Sequence, residues 1–453
     1  MELAVLTLFA VLLIGALAAG VPILYALIAG LILFSAYSLK CGFTLEQTGK
    51  MCLKGVNTVK NVLITMTIIG VLTGLWRSSG TIPAIVGYCV QLITPSVFLL
   101  LTFLLNSLVS FLIGTSFGTA ATMGAICIAM AQAMDISLAL AGGAAISGAF
   151  FGDRCSPVST STLLVAEVTH TDMYKNIPKL MKDSIVPFVM SCVAYLVMGW
   201  LQSASGSAAA GAGELFSREF RMGLIPLIPA AAIFILAICK VEVKKAMAVS
   251  IFLAFVICLV YQHRPLTETL YSMVFGYVSE DAQISKMLNG GGIQSMIKVV
   301  AVVCLSSCYS GIFEKTGLLL PLQEKIIKAG EKLAPFAVVL PVSVIACAVS
   351  CNQSLATLVT EQLCNKLVTD QEKMAMYLED GTIVIAPLIP WSIAGAVPLA
   401  SMGAPGTALC RVLSVCPSFM EADHRLFYTG KTEGIKCIGL IGEKHEKEVK
   451  VMA

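Results

Sequence analysis

The chain of 453 residues is 57% hydrophobic and only 13% charged, with a formal net charge of +3 and a mean hydropathy of +0.88. Soluble domains carry about 25% charged residues, so an ordinary soluble protein is excluded. So small a net charge also supplies no basic footprint for nucleic acid. The composition is that of an all-α polytopic membrane protein whose partner is the lipid bilayer.

Residues 3–39 hold no charge. At about 1.5 Å per residue they exceed one crossing of a roughly 30 Å hydrocarbon core, so two helices turning near Gly20-Val21-Pro22 are expected. The opening ends on small residues like a secretory leader, but it carries Glu2, lacks a basic start and runs into further apolar sequence. An uncleaved first helix is the better reading. Further spans are expected near 61–76, 96–113, 119–134, 136–151, 184–203, 223–239, 246–261, 293–312, 334–350 and 383–402. Lysines cluster at Lys40, Lys50, Lys54 and Lys60, and again at Lys175, Lys179 and Lys182. A positive-inside bias puts those loops and the N-terminus on the cytoplasmic side of a cell (inner) membrane.

Residues 1–420 form a single transmembrane domain in this reading, and 421–453 form a charged tail. None of the 16 cysteines stands in a CxxC motif, and Cys304/Cys308 and Cys347/Cys351 keep helical spacing within apolar spans. Cysteine there acts as a small hydrophobe. The four histidines make no ligand cluster, so no cofactor and no resident metal is expected.

The chain repeats itself. Gly55-Val56-Asn57-Thr58 resembles Gly292-Ile293-Gln294-Ser295, and Gly74 through Gly80 resembles Gly311 through Gly317, both 237 positions on. The run from Ser116 to Thr122 resembles that from Ser354 to Thr360 at 238. Two copies, about 40–205 and 275–405, are the mark of secondary transporters, which hold cargo where the copies meet at mid-membrane. Recurrence of small and hydroxyl residues in packed membrane helices is the competing account.

Each copy carries two polar interruptions. The first copy has Gly114–Thr119 and then Gly148–Leu164, with Asp153, Arg154, Ser156, Ser159, Thr160, Ser161 and Thr162. The second has Ser350–Ser354, then Leu378–Thr382 running on through Pro387 to Ser392, so that Asp380…Pro387 parallels Asp153…Pro157. Irregular backbone at membrane depth survives only inside protein or beside a watery cavity. Hydroxyls and carbonyls there replace a cation's hydration shell, and an aspartate adds the charge for which sodium and a proton compete. The candidate ion- or substrate-binding residues are Asp153, Ser156, Ser159, Thr160, Ser116, Thr119, Asn352, Ser354, Thr357 and Asp380. Asp153 also suits a helix cap or an ion pair, and the hydroxyls suit helix packing. Arg154 suits a charge pair, a snorkelling position or a substrate carboxylate. Glu379 and Asp380 follow the charged run Asp370-Gln371-Glu372-Lys373, which reads as the water boundary.

Gly152-Asp153-Arg154-Cys155-Ser156-Pro157-Val158-Ser159, Leu288 through Met296, and Leu378-Glu379-Asp380-Gly381-Thr382 with Pro387-Leu388-Ile389-Pro390-Trp391 resemble the NhaC family of sodium/proton antiporters, which includes malate/lactate exchangers. The resemblance covers most of residues 1–415. It implies inverted repeats with re-entrant hairpins meeting at mid-membrane, and alternating access. The family pattern usually continues GD[KR]xSPLSDTTN, and here Thr160 and Leu163 replace its second aspartate and its asparagine.

A sodium/proton antiporter is therefore expected. A sodium- or proton-coupled carrier of a small organic anion or amino acid is the alternative, and both leave room for a homodimer. A channel fits a duplicated unit less well. An enzyme is disfavoured, because no HExxH occurs and the hydroxyls lack a partnered His or Lys. The glycines at 290–292 lack a following Gly-Lys-Ser/Thr and read as a helix entry.

Overall fold

The computed structural model describes residues 2–19, 21–157, 159–202, 212–239, 241–281, 284–285, 288–316, 326 and 334–411. The charged tail at 421–453, Val158 of the central interruption and Gly317 of the repeat lie outside them. The described chain is helical, with one isolated bridge between Tyr277 and Gly290.

In chain order the helices are α1 (Glu2–Ala18), α2 (Ile23–Lys40), α3 (Leu45–Thr58), α4 (Lys60–Ser78), α5 (Thr81–Leu92) and α6 (Pro95–Ile113). Next come α7 (Ser116–Ala133), α8 (Leu138–Cys155), α9 (Thr160–Val168), α10 (Met173–Gln202), α11 (Ala212–Ser217), α12 (Ile228–Ile238) and α13 (Val243–Val260). The second half follows with α14 (Leu266–Phe275), α15 (Gly292–Thr316), α16 (Pro335–Ser350) and α17 (Gln353–Cys364). The chain ends in α18 (Gln371–Leu388) and α19 (Ile393–Met402), bent by 52° at the break between them.

Among the described residues, five helices are long and apolar enough to cross a membrane, and six if α18 and α19 count as one bent span. This is an all-α multi-pass membrane protein. Several expected spans take other forms. Residues 383–402 are divided between α18 and α19 at the bend. Residues 136–151 become α8, whose Ala141–Phe150 stretch is buried throughout, so protein surrounds it where lipid was expected.

Local sequence explains the boundaries. Pro22 precedes α2, Thr44 caps α3 in a reciprocal box with Gln47, and Pro95 and Pro335 open α6 and α16. Proline at a first helical position forgoes a hydrogen bond that the helix start could not make anyway. The hairpin α1–α2 packs on α15 through Phe9, Phe34, Tyr309 and Phe313, and the Tyr309 hydroxyl donates to the Leu27 carbonyl.

Glycine sets the closest helix contacts. Gly55 of α3 lies against the backbone of Ser307 and Gly311 in α15, and Gly311 lies against Met51 and Gly55 in return. Gly74 of α4 lies against the Gly292 nitrogen at the other end of α15. Gly55 and Gly292 stand 237 positions apart, as do Gly74 and Gly311. Exchanging each glycine for its counterpart converts one contact into the other.

The helix breaks also come in pairs. Helix α6 ends on Gly114 in the left-handed region (φ 71°), Thr115 is extended (φ −153°, ψ 121°), and α7 begins. Helix α16 ends on Cys351 (φ 55°), Asn352 is extended (φ −136°, ψ 123°), and α17 begins. The second pair places Ser156 (φ −81°, ψ 134°) after α8 and Ile389 (φ −79°, ψ 115°) after α18. Ser159 then caps α9 as Ser392 caps α19. The Ser159 nitrogen donates to Ser156, and that of Ser392 donates to Ile389.

Within the second interruption, Leu378 through Ser392, Glu379–Ile383 is a π-helical turn inside α18, and the break is Ile389–Ser392. Pro390 follows Ile389 as Pro157 follows Ser156, and Ala386 lies three residues before this break as Asp153 does before the other.

Candidate functional site

Gly152 of α8 packs directly on the backbone of Ser107 and Phe111 in α6, which fixes the height of the next residue. Asp153 is buried, with 6% of its surface exposed. Its Oδ2 accepts from the Ser116 backbone nitrogen at the start of α7 (3.2 Å), and its Oδ1 accepts from the Ser159 hydroxyl (2.8 Å). Both donors are neutral, and the start of a helix favours negative charge.

Asp153 lies on the wall of a cavity of about 970 Å³. The first-half wall adds Thr115, Phe117, Thr160, Ser161, Leu163, Leu164 and Glu167, with Thr58, Val59 and Val62 from the junction of α3 and α4. The second-half wall is Asn352, Gln353, Ser354, Leu355, Leu358, Val359, Gln362 and Leu363, joined by Phe313, Ile383, Ile393 and Ala394. Asp153 and Glu167 are its charged residues, and no Lys, Arg or His is among the described lining. Glu167 is solvent-exposed. A smaller cavity of about 400 Å³ shares Val62, Thr115, Phe117 and Thr160 with the larger one.

Four of the residues expected from sequence thus line one cavity: Asp153, Thr160, Asn352 and Ser354. Asn352 caps α17 by accepting from the Ser354 nitrogen at 2.9 Å. Ser159 stands behind the wall, holding Asp153. The other expected hydroxyls bond to main chain: Thr119 to the Thr115 carbonyl, Ser156 to Phe111 and Thr357 to Gln353. Ser116 contributes its backbone nitrogen to Asp153. Gly114-Thr115-Ser116-Phe117-Gly118 has the spacing of a hydrolase nucleophile elbow, but it joins two helices, whereas such an elbow is a strand-to-helix turn.

Arg154 and Asp380 lie off the cavity wall. The Arg154 guanidinium donates to Asp380 Oδ1 and ties α8 to α18. Beside them sits a residue that the sequence disguised. Glu379 is 1% exposed, and neither of its carboxylate oxygens has a hydrogen-bond partner among the described residues. Its signal was adjacency to Asp380, masked by the charged run before α18. That run marks the helix start: Asp370 is the cap, and Glu372 pairs with Lys179 of α10 at 2.6 Å. Two turns further on, the helix is inside the protein.

The sequence profile of the Na+/H+ antiporter family matches residues 2–168 and 148–409. The chain belongs to the Na+/H+ antiporter family. It is a secondary active transporter, a class built for exchange of ions or small molecules rather than for bond chemistry. Among its relatives is the malate-2H(+)/Na(+)-lactate antiporter of Bacillus subtilis, 25% identical over 82% of this chain and 81% of that one. The Na(+)/H(+) antiporter NhaC of the same organism is 26% identical over 84% and 86%. The arginine/ornithine antiporter ArcD of Halobacterium salinarum is 26% identical over 79% and 75%. The antiporter thus has relatives named for three kinds of cargo.

Proposed function

We propose that this antiporter exchanges sodium for protons at Asp153. The supporting observation is a buried carboxylate on the cavity wall, held by neutral donors, with no cationic side chain among the described lining residues. A carboxylate without a resident counter-ion attracts a cation or a proton, and occupancy by one excludes the other. Thr160 and Ser161 on one side, and Asn352 and Ser354 on the other, supply neutral oxygens to a sodium ion at that carboxylate.

In this reading the segments at about 40–205 and 275–405 are inverted copies related by a pseudo-two-fold axis. Their broken helices form hairpins that meet around the cargo, and rocking one copy against the other exposes it to each side in turn. The reciprocal glycine contacts and the paired breaks support this arrangement, because a two-fold relation makes contacts recur in exchanged form.

Everted vesicles carrying the protein are expected to dissipate a preformed pH gradient when sodium is added. An unchanged gradient, with the protein shown to be present, refutes sodium/proton exchange. Asp153→Asn is expected to lower the response by about two to four orders of magnitude, the range for loss of a proton-transferring group, while insertion persists.

A second reading rests on the wall itself. Thr160 and Leu163, the two departures from the family pattern, both face the cavity, and its volume is at the upper end of the roughly 300–1,000 Å³ typical of small-molecule pockets. That favours an organic cation or amino acid carried at the same carboxylate. With Arg154 paired to Asp380 and off the wall, an organic anion fits less well. Counterflow of labelled metabolites in proteoliposomes separates the two readings.

A further inference from the structure

We propose that Glu379 is a second proton-carrying site of the transport cycle, separate from the cation site on Asp153, and that it shares Arg154 with Asp380. The inference rests on the sodium/proton reading above and adds to it a residue that does not touch the cavity.

The observation is an accounting failure in the interior. Buried polar atoms are almost always paired, and an ionised carboxylate in a dry interior without partners is penalised by several kcal/mol. Glu379 is fully enclosed, yet by hydrogen-bond geometry neither of its oxygens has a partner among the described residues, and the Thr162 hydroxyl beside it donates instead to the Arg154 carbonyl. The groups around it are specific. Helix α8 presents Arg154, Asp153 and Cys155, and its own turn presents Asp380. Helix α9 presents the Thr162 hydroxyl, which donates to the Arg154 carbonyl at 3.1 Å. Helix α16 places Ser343 and Cys347 against Thr382 of the same turn, and α17 places Gln353 against Ile383. From α10, Asp183 acts on Arg154 as a further negative charge.

Asp380, Glu379 and Asp183 act on one guanidinium, and three carboxylates there cannot all be ionised cheaply. Asp380 has the guanidinium and Asp183 is only half-buried, so Glu379 is the acid shut away from both an ion-pair partner and solvent. The guanidinium retains a buried donor without a partner, Nε, and so has capacity for another acceptor. Glu379 and Asp380 are consecutive, and consecutive helical side chains point about 100° apart. Asp380 makes the close contact with Arg154, and Glu379 lies within its electrostatic reach without a hydrogen bond. They also open a π-helical turn, a feature that often accompanies functional sites. Relaxing that turn shifts which of the two faces Arg154. In the state of the cycle that admits water to Glu379, its O–H bond breaks, the proton passes to that water, and the new carboxylate draws Arg154 from Asp380. That exchange couples proton release to movement of α18 against α8.

The experiment uses purified full-length protein in proteoliposomes and reads two partial reactions in the same vesicles. These are self-exchange of radioactive sodium at equal pH and the pH change driven by a sodium gradient. In Glu379→Gln the sodium-driven pH change is expected to fall about a hundredfold, the lower end for loss of a proton-transferring group, while self-exchange falls less than about tenfold. Asp153→Asn abolishes both. A Glu379→Gln protein with undiminished pH coupling overturns the inference, as does one in which both reactions fall equally. Wild-type protein that performs no sodium self-exchange refutes the sodium reading instead. Infrared spectroscopy of the wild type with isotope-labelled glutamate decides the matter independently of any variant. A protonated-carboxyl band shifted by the label supports the inference, and its absence across the pH range overturns it.

Discussion

Thr160 faces both cavities and stands where the family pattern has an acid, so a single substitution tests what that acid contributes. Thr160→Asp places a second carboxylate beside Asp153 and is expected to tighten sodium binding. A tenfold gain is worth about 1.4 kcal/mol and appears as a larger sodium-induced rise in unfolding temperature. An unchanged or smaller rise shows that Thr160 does not contact the ion. The same scale explains what was legible. Asp153 stood out because an acid in apolar sequence is conspicuous. Glu379 did not, because the charged residues Asp370, Glu372 and Lys373 precede it. A helix rises about 1.5 Å per residue, so the seven steps from Glu372 to Glu379 carry the chain about 10 Å inward. Hydropathy over a window averages that descent away.

At the scale of elements, the site depends on how closely α8 approaches α6. A Cβ at Gly152 meets the Ser107 carbonyl and the Phe111 nitrogen, whereas one at Gly49 of α3 meets nothing within 4 Å. Gly152→Ala is expected to destabilise the protein by about 1–3 kcal/mol and to weaken sodium binding by displacing Asp153. Gly49→Ala is expected to stabilise by about 0.5–1 kcal/mol. Thermal unfolding in detergent checks both, and equal effects refute the packing account. Helices and breaks were readable because glycine, proline and hydroxyl clusters interrupt apolar runs at Gly114–Ser116, Cys351–Gln353 and Ser156–Ser159. The exact place of the break within Leu378–Ser392 was not readable: the chain stays helical through Asp380 and turns at Ile389, where an apolar residue takes the extended backbone that Ser156 takes after α8.

At the scale of the whole molecule, two of the links between the halves can be tested by paired substitutions. Gly55 and Gly311 occupy one contact, so Gly55→Ala and Gly311→Ala are each expected to destabilise by about 1–3 kcal/mol. Their double variant should lose clearly less than the sum, because both relieve the same approach. Strict additivity refutes a shared seam. The Arg154–Asp380 pair is the second link. Asp380→Asn alone leaves Glu379 to take the guanidinium and is expected to have a small effect on stability. The double variant Glu379→Gln with Asp380→Asn strands a buried cation, which is penalised by about 3–5 kcal/mol. A single variant as unstable as the double shows that Glu379 cannot substitute.

The two paired breaks of α8 and α18 share a backbone but not a charge, since Ala386 occupies the position that Asp153 has in the first half. In the proposed exchange the one buried carboxylate on the cavity wall serves both directions of travel, so passengers bound at Asp153 take turns there, whatever proton Glu379 holds. Initial rates measured while varying the concentration on one face, at several fixed concentrations on the other, should give parallel double-reciprocal lines. Intersecting lines would refute turn-taking at Asp153.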